Sequence, residues 1–208
     1  MKRILLGLAL ATFTMSTLPA KAGDIVDEWA SVKAPPPPAL KPVTVDPKTT
    51  ALLVLDMIKP ICNAERYPRC LGTVAVVKKL IGEARAKGMM VVYTSVPNVP
   101  VTTVLEELAA KPGEPFFQSG TDKFLKTDLE KMLRDKGVIT VISTGVAAQG
   151  AVISTASEAS LRGFKVIVPI DTISGNFAYP EQYTVWHLAN GPVISPNITV
   201  TKSDLMKF

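Results

Sequence analysis

The apolar positions of this chain fall into short continuous runs separated by segments with helical spacing. The first run, ALLVLDMI from Ala51, is apolar throughout except for Asp56. Afterwards a helical pattern, a glycine and a new apolar run follow one another three times, with the glycines at Gly88, Gly137 and Gly163. Strands that are apolar on both faces and alternate with helices indicate a parallel sheet that is covered on both sides.

The helical segments are AVVKKLIGEARAKG, TDLEKMLRDKG and AVISTASEASLRG. The second begins with the spacing of a capping box, formed by Thr127 and Glu130. Right-handed crossovers between parallel strands then predict an α/β fold, a Rossmann-like three-layer sandwich. The sequence has no glycine-rich phosphate-binding fingerprint after the first strand, so it supports no nucleotide cofactor, and none is predicted.

The first 22 residues have the organisation of a signal peptide. Lys2 and Arg3 form a basic start, residues 4–18 are mostly apolar, and Ala20 and Ala22 fit the small-residue rule for cleavage after residue 22. The apolar run is too short and too interrupted for a spanning helix. We therefore predict an exported protein, periplasmic or secreted, with an uncleaved amphipathic anchor as the alternative.

Residues 23–48 are rich in proline, and the run Pro35–Pro38 favours an extended polyproline conformation. We interpret this segment as an arm or linker. Trp29 and Val32 offer apolar contacts to a partner subunit or to the body of the protein, and a mobile tail is the alternative. The remainder, residues 49–208, has the length of one domain with one core.

The charge of the predicted mature chain is close to neutral. Removing Lys2, Arg3 and Lys21 from the 23 basic residues leaves 20, against 18 acidic residues, which gives about +2. The two signs are interspersed, so no basic stripe favours a nucleic-acid partner. No other segment is long and apolar enough to span a bilayer, so no membrane partner is predicted for the mature form.

Asp56 is the first candidate for chemistry. Ligands of such sheets bind beyond the carboxyl ends of the strands, and a carboxylate that closes an apolar strand is partly desolvated. Desolvation raises a carboxyl pKa and suits the group to general acid or base catalysis. The alternatives are that Asp56 caps a loop or pairs with Lys59. Asp171, at the end of a later strand, is expected to cap the turn DTISG.

The two cysteines, Cys62 and Cys70, lie eight positions apart just after the first strand. In an exported chain this spacing predicts a disulfide. Metal binding is the rival, but the single histidine, His187, is distant in the sequence, and no metal site is predicted. Arg66 and Arg69 lie inside the closed loop and are candidates for binding an anionic ligand, with solvated surface arginines as the alternative.

Several blocks, in order, resemble a known family. The segments ALLVLDMI, SGTDKFLKTDLEKMLRDKG and VISTGVAAQGAVISTASEASLRGFKVIVPIDTIS are similar to the isochorismatase-like cysteine hydrolases. The resemblance covers roughly residues 49–205. It implies a six-stranded parallel α/β sandwich, a homo-oligomer (dimer or tetramer), and a catalytic triad of Asp, Lys and Cys.

The resemblance assigns triad positions residue by residue. Asp56 matches the family's Asp at the end of the first strand. The family's Lys lies six residues before a Phe, which puts Gln118 at that position relative to Phe124. The family's Cys lies in a G-[VI]-A-T-x-x-C-V pattern, and in GVAAQGAV the matching residue is Ala151.

The same pattern implies a pocket around the glycine turn. A cis peptide that is frequent in the family falls here between Val146 and Ala147. Gly150 and Ala151 complete the turn, together with Gln118 from the other block. Gln149 is a further candidate for ligand binding, because its amide hydrogen-bonds without charge.

These assignments exclude thioester chemistry, because an alanine supplies no thiolate. Isochorismatases also lack the Cys, and their Asp protonates a vinyl ether, but they keep the Lys. We therefore expect an exported isochorismatase-like hydrolase-family protein that binds a small polar metabolite. If active, it hydrolyses this ligand by acid/base chemistry of Asp56. The alternative is a non-catalytic pseudoenzyme that acts as a binding or interaction protein.

Overall fold

A computed structural model describes residues 23–208, which form two compact units, residues 23–36 and residues 37–208. The predicted signal peptide, residues 1–22, lies outside the described residues. Among residues 23–208, no helix has the length and apolar character needed to cross a membrane.

The first unit contains one short helix, α1 (Ile25–Glu28). The side chain of Asp24 caps this helix by accepting hydrogen bonds from the backbone N–H groups of Val26 and Asp27. The large apolar side chains of this unit are exposed, and the Trp29 side chain is 67% exposed. Within this unit, the helix is therefore held by its cap rather than by a core.

The second unit is built on a parallel sheet of seven strands in the order β4-β3-β2-β5-β6-β8, with β7 beside β5. The prediction of a parallel α/β sandwich is confirmed. Six strands form the continuous path, and the two-residue β7 is the seventh, so the predicted count of six is one too low. The strands are β1 (Val43–Thr44), β2 (Thr50–Leu55), β3 (Met90–Ser95), β4 (Phe116–Gln118), β5 (Thr140–Val146), β6 (Lys165–Pro169), β7 (Ile173–Ser174), β8 (Ile198–Thr201) and β9 (Met206–Lys207).

The apolar runs become central strands because both of their faces are covered. Along β2, Leu53 and Leu55 belong to one core cluster, while Leu52 and Val54 belong to a second on the opposite face. The remaining helices supply the two outer layers. They are α2 (Pro68–Leu71), α3 (Val74–Ala86), α4 (Leu129–Asp135), α5 (Ile153–Leu161) and α6 (Ala178–Asn190).

The predicted glycine stops are confirmed, because Gly88, Gly137 and Gly163 all have positive φ just after a helix. The predicted capping box of α4 is wrong. The Thr127 hydroxyl accepts a hydrogen bond from the Leu129 N–H at 3.3 Å, and Glu130 is bound by Arg162 instead of reaching back to the backbone.

Part of the predicted arm packs with the second unit. The Lys41 N–H donates to the carbonyl of Val200 at 3.1 Å, and β1 pairs with β9 in a separate two-stranded sheet. Val45 is buried in one of the two cores. In the structure, residues 37–48 thus belong with the domain that the sequence placed at residues 49–208.

Asp171 follows β6, but it does not cap its own turn. Its two carboxylate oxygens accept hydrogen bonds from the backbone N–H and the hydroxyl of Ser203, at 2.9 and 2.6 Å. The prediction that Asp171 caps the turn DTISG is therefore wrong. The carboxylate instead holds the chain segment that follows β8 against the end of β6.

Candidate functional site

Asp56 leaves β2 at the carboxyl edge of the sheet with a left-handed backbone conformation, φ +52°. Its N–H donates to the hydroxyl oxygen of Thr94 at 3.2 Å, and that hydroxyl donates to Asp56 Oδ1 at 2.8 Å. Thr94 lies on the neighbouring strand β3. A non-glycine residue at positive φ is uncommon and requires such support, so both the backbone and the carboxylate of Asp56 are fixed in place.

The partner of Asp56 is Lys123, a residue that the sequence analysis missed. The Lys123 side chain is fully buried, and its Nζ donates to Asp56 Oδ2 at 2.8 Å. It also donates to the carbonyl oxygens of Ser95 and Ser119, both at 3.3 Å. An ammonium has three N–H groups, so all three are bound.

Gln118 does not occupy the place of the cation. Its side chain is exposed, and its amide donates to the carbonyl of Val99 at 2.7 Å. The expectation that the site lacks a cation because Gln118 replaces the family's Lys is therefore wrong. Lys123, directly before Phe124, supplies the positive charge. Lys59, the alternative partner of Asp56, pairs with Glu106 instead.

The loop that carries Lys123 is docked on helix α5. The Lys123 N–H donates to the Thr155 hydroxyl oxygen at 3.3 Å, and the Thr155 hydroxyl donates to the carbonyl of Thr121 at 3.2 Å. At the end of the loop, the Thr127 hydroxyl donates to the carbonyl of Lys123 at 2.6 Å. These bonds fix the backbone from which the buried ammonium reaches Asp56.

Burial shifts the two pKa values of the pair toward each other. Burial raises the pKa of the Asp56 carboxyl, and the charge and hydrogen bond of Lys123, with the hydrogen bond of Thr94, oppose the rise. Burial lowers the pKa of the Lys123 ammonium, and Asp56 opposes that shift. A carboxyl group and an amine whose proton affinities converge are suited to proton transfer.

The glycine turn of the sequence is a π-helical turn, Ala148–Val152, between β5 and α5. It follows a cis peptide between Val146 and Ala147, so the position expected from the family resemblance is confirmed. The N–H groups of Gly150 and Val152 donate to the carbonyl of Ala147 at 3.0 and 3.1 Å. The structure thus brings the predicted turn residues together, with Ala151 buried among them.

Gly145 brings this turn against the strand that carries Asp56. It pairs with Leu55, and a Cβ atom added to Gly145 would stand 2.1 Å from the Leu55 carbonyl oxygen. Its φ is +111°. Because backbone meets backbone here, no side chain fits at this position, and the strand end before Asp56 is held against the start of the turn.

Gln149 lies at the exposed side of the turn. Its side-chain amide donates to the Asn176 carbonyl oxygen Oδ1 at 3.3 Å. Asn176 stands just before α6, and α6 packs on the turn. Gln149 therefore links the turn to the segment that leads into α6.

The predicted disulfide between Cys62 and Cys70 is present, with their Cα atoms 5.4 Å apart. It lies in the core, where Cys70 Sγ is 3.5 Å from Sδ of Met57, the residue after Asp56. Closing so short a loop stabilises the fold by about 2–3 kcal/mol in the chain-entropy model. The bond therefore supports the segment that follows Asp56.

The two arginines of the disulfide loop have partners within the protein. Arg69 forms two hydrogen bonds with Glu181, at 2.7 and 2.6 Å, and Glu181 also accepts from the N–H of Gly175. Arg66 reaches the carbonyl of Pro60 at 3.5 Å. Arg69 thus joins the loop to α6, and its side chain stays about half exposed. The pair borders a cleft of about 430 Å³, lined by Pro68, Arg69, Gly72, Thr73, Ile170, Asp171, Ile173 and Glu181.

His187 lies on α6, where its ring is 5.8 Å from the ring of Tyr183. Across residues 23–208, no group of three or more His, Cys, Asp or Glu side chains is arranged to hold a metal ion. The polar groups of the site are the Asp56 carboxylate, the Lys123 ammonium and the Thr94 hydroxyl.

The chain belongs to the isochorismatase family, since the family's isochorismatase domain matches residues 50–198.

Individual relatives agree with this assignment. The streptothricin hydrolase of Streptomyces noursei is 28% identical over an alignment of 159 residues, and the match covers 68% of this chain and 58% of that protein. The chain therefore spans little more than half of the relative's length. An isochorismatase family protein from Desulfovibrio vulgaris has the same fold, with a TM-score of 0.68 and 20% identity over 76% of this chain and 95% of that one. The N-carbamoylsarcosine amidase of Thermoplasma acidophilum matches with a TM-score of 0.64 and 24% identity, over 75% of this chain and 97% of that one.

Proposed function

We propose that this protein binds a small polar metabolite at the carboxyl edge of its sheet and hydrolyses it without a covalent enzyme intermediate. In this proposal Asp56 is the acid/base group, and the ammonium of Lys123 stabilises the negative charge of its carboxylate. The observation that carries the proposal is the Asp56–Lys123 pair, 2.8 Å apart. The π-helical turn contains Ala151, the residue that the resemblance aligns with the family's nucleophile.

The proposed chemistry needs only a water molecule and one group that moves protons. A water attacks the substrate while Asp56 accepts a proton from it or donates one to the leaving group. Asp56 has one protein donor on each carboxylate oxygen, Thr94 on Oδ1 and Lys123 on Oδ2, so each oxygen keeps acceptor capacity. The positive charge of Lys123 favours the ionised carboxylate and opposes the rise in the Asp56 pKa that burial causes.

Two of the similar proteins are named for hydrolytic activities. One is named as a hydrolase of streptothricin and another as an amidase of N-carbamoylsarcosine. Because the chain spans 58% of the first relative and shares only the fold with the second, the substrate itself does not transfer. The class of ligand, small and polar, is what we propose for this chain.

A non-catalytic binding protein is the second candidate, and one observation favours it. Lys123 is fully buried and all of its N–H groups are bound, so it has no free donor for a developing negative charge. In this alternative the Asp56–Lys123 ion pair stabilises the fold, and the protein binds its ligand without converting it.

The experiment that tests the proposal begins with a thermal-shift screen of small amides, carboxylates and enol ethers, because a bound ligand raises the unfolding temperature. Each hit is then incubated with the protein, and products are followed by mass spectrometry. We expect turnover with no initial burst and no acyl-protein adduct. Treatment with iodoacetamide should leave the rate unchanged, since both cysteines of the chain are in the disulfide. A covalent adduct trapped on the protein would contradict this mechanism, and binding without product would support the second candidate.

We also propose that the protein is exported. The disulfide between Cys62 and Cys70 supports this proposal, because such bonds persist in oxidising compartments, and so does the basic and apolar pattern of residues 1–22. Protein recovered from the periplasm or medium of an expressing bacterium should begin at Gly23. Its non-reduced digest should contain the linked cysteine peptides. A chain that keeps its first 22 residues in the cytoplasmic fraction, with two alkylatable thiols, would refute export.

A further inference from the structure

The positive charge of the Asp56 site lies deeper in the protein than the negative charge. The Lys123 ammonium donates to Asp56 Oδ2 at 2.8 Å. Its other two N–H groups donate to the carbonyl oxygens of Ser95 and Ser119, both at 3.3 Å. The Lys123 side chain has no exposed surface, whereas the Asp56 side chain keeps 5%. A ligand that reaches this pair therefore meets the carboxylate, and the ammonium has no hydrogen to offer it.

The exposed side chain next to this buried ammonium belongs to Gln118. Gln118 precedes Ser119 in the chain and pairs with Ser95 in the register of β3 and β4, so it adjoins both residues whose carbonyl oxygens hold the ammonium. Its side-chain N–H₂ group donates to the carbonyl of Val99 at 2.7 Å, which holds the amide in place. An amide offers a carbonyl acceptor as well as its N–H donors, and it carries no charge.

The segment from Gln118 to Lys123 borders the π-helical turn. The Lys123 N–H donates to the Thr155 hydroxyl oxygen, and the Thr155 hydroxyl donates to the carbonyl of Thr121. A Cβ atom added to Gly150 would lie 3.7 Å from Cγ2 of Thr121, which is van der Waals contact. The segment therefore forms one side of the site, and the turn forms another.

Two basic side chains of the segment after β2 are neutralised by carboxylates. Lys59 lies 2.7 Å from Glu106, and Arg69 lies 2.6 Å from Glu181. Such pairs present no net charge to a ligand that approaches from a distance. Arg66 donates to a backbone carbonyl and keeps its net charge, so binding of an anion through Arg66 is the rival that the experiment has to exclude.

We infer that this site selects uncharged ligands over anions, and that Gln118 is the residue that determines this selectivity. An anion that approaches Asp56 is repelled because the nearer charge of the ion pair is negative, and the Gln118 amide adds no opposing attraction. An uncharged ligand instead donates hydrogen bonds to Asp56, whose oxygens keep acceptor capacity, and to the carbonyl of Gln118. The inference rests on the proposed function, because it concerns the ligand of the same site.

The test places a chemical probe in the turn. The variant Ala151→Cys has one free thiol, because both native cysteines are in the disulfide. Its thiolate displaces iodide from iodoacetamide, which is uncharged, and from iodoacetate, which is an anion. The ratio of the two rate constants reports the charge selectivity of the site, since the reactivity of the thiol itself cancels. The matched control is Ile139→Cys, at an apolar residue before β5 that is 57% exposed.

We expect the iodoacetamide-to-iodoacetate ratio of Ala151→Cys to exceed that of Ile139→Cys by about tenfold, the effect of one nearby charge at the protein surface. Adding Gln118→Lys to Ala151→Cys places a free ammonium at the edge of the site and should lower the ratio by about threefold or more. Gln118→Glu adds a negative charge there and should raise the ratio. Neither substitution should change the ratio of Ile139→Cys.

The possible results separate this inference from the proposed function. Equal ratios at positions 151 and 139 would overturn the charge selectivity and leave the proposed function standing. A ratio that neither substitution of Gln118 changes would overturn the role of Gln118. A thiol at position 151 that neither reagent reaches in the folded protein would overturn both the inference and the proposed function.

A second measurement uses the wild-type protein and so does not depend on the folding of any variant. Benzamide and benzoate have nearly the same shape and differ in charge. Benzamide should raise the unfolding temperature more than benzoate at equal concentration, because the ligand that binds more tightly stabilises more. An equal or larger rise with benzoate, through Arg66 or any other group, would overturn the inference.

Discussion

Replacing Lys123 by methionine should lower the free energy of unfolding by about 3–5 kcal/mol, the usual cost of leaving one charge of a buried ion pair without its partner. Lys123 is fully buried and the Asp56 side chain is 5% exposed, so water does not replace the lost contact. Two carbonyl oxygens, of Ser95 and Ser119, lose a donor at the same time. The measurement is chemical denaturation of the variant and the wild type.

The same variant should show a specific pH dependence. Burial raises the pKa of Asp56, and Lys123 opposes the rise, so removing Lys123 raises this pKa further. A carboxyl whose pKa is higher in the folded state than in the unfolded state favours folding at low pH, and that contribution is lost as the pH rises through the folded-state pKa. The deficit of Lys123→Met relative to the wild type should therefore be smallest in acid and largest at neutral pH.

Two further variants separate the ion pair from simple loss of packing. The double variant Asp56→Asn/Lys123→Met removes both charges and should recover most of the lost stability, because replacing a whole buried pair is often close to neutral. Lys59→Met breaks an exposed pair with Glu106 and should change stability by less than about 1 kcal/mol. A Lys123→Met variant as stable as the wild type at neutral pH would show that the pair contributes nothing to the fold.

The second large effect is expected in catalysis. Asp56→Asn keeps the shape of the side chain and an oxygen for Lys123, but it removes the titratable proton. With a substrate from the ligand screen, turnover should fall about 10²-fold or more, the usual contribution of a positioned general acid or base. Affinity should change less, because an amide still forms hydrogen bonds. The measurement compares kcat with the Kd of the same ligand.

Asp171→Asn is the matched control for this experiment. Asp171 also follows a strand at the carboxyl edge of the sheet, but its oxygens are bound by Ser203, so its substitution should leave turnover unchanged. Assays are run below the unfolding temperature of each variant, which separates lost chemistry from lost folding. An Asp56→Asn protein with the wild-type rate would exclude acid/base catalysis. A change in affinity alone would identify a binding protein.

Much of the fold follows from features that are local in the sequence. The apolar runs and the glycines after the helices predict the parallel sheet, because each strand and each helix end is specified by neighbouring residues. The disulfide follows from two cysteines eight positions apart. Asp56 stands out because it closes a strand that is buried on both faces.

The sequence did not predict Lys123 as a site residue, because its position depends on the path of a loop. Counting back from Phe124 leads to Gln118, and nothing in the local pattern shows that the next lysine turns inward. The hydrogen bonds to Thr155 and Thr127 that aim it at Asp56 become visible only once the loop is folded on α5. One feature of the sequence points to such a lysine: a buried Asp56 requires a counter-charge. Lys59 is the basic residue nearest to it in the sequence, but other basic residues can also supply that charge.

The capping predictions failed for a related reason. The Thr127–Glu130 spacing fits a capping box, but the Thr127 hydroxyl binds the backbone of Lys123 and Glu130 binds Arg162. Asp171 likewise binds Ser203, which is distant in the sequence. Local preferences for side-chain-to-backbone bonds give way where tertiary structure offers a charged or better-placed partner.

The close approach of Gly145 to the Leu55 carbonyl shows that residues of the turn sequence TGVAAQGAV serve two different purposes, the packing of the fold and the chemistry of the site. The glycine is required by the packing of two strands, whether or not any reaction takes place, whereas position 151 is a buried alanine within the π-helical turn. A search pattern built on the glycine and the residues that follow it will therefore gather proteins by architecture. The presence or absence of a nucleophile has to be read from position 151, so a set of proteins gathered by the pattern will contain members with and without one.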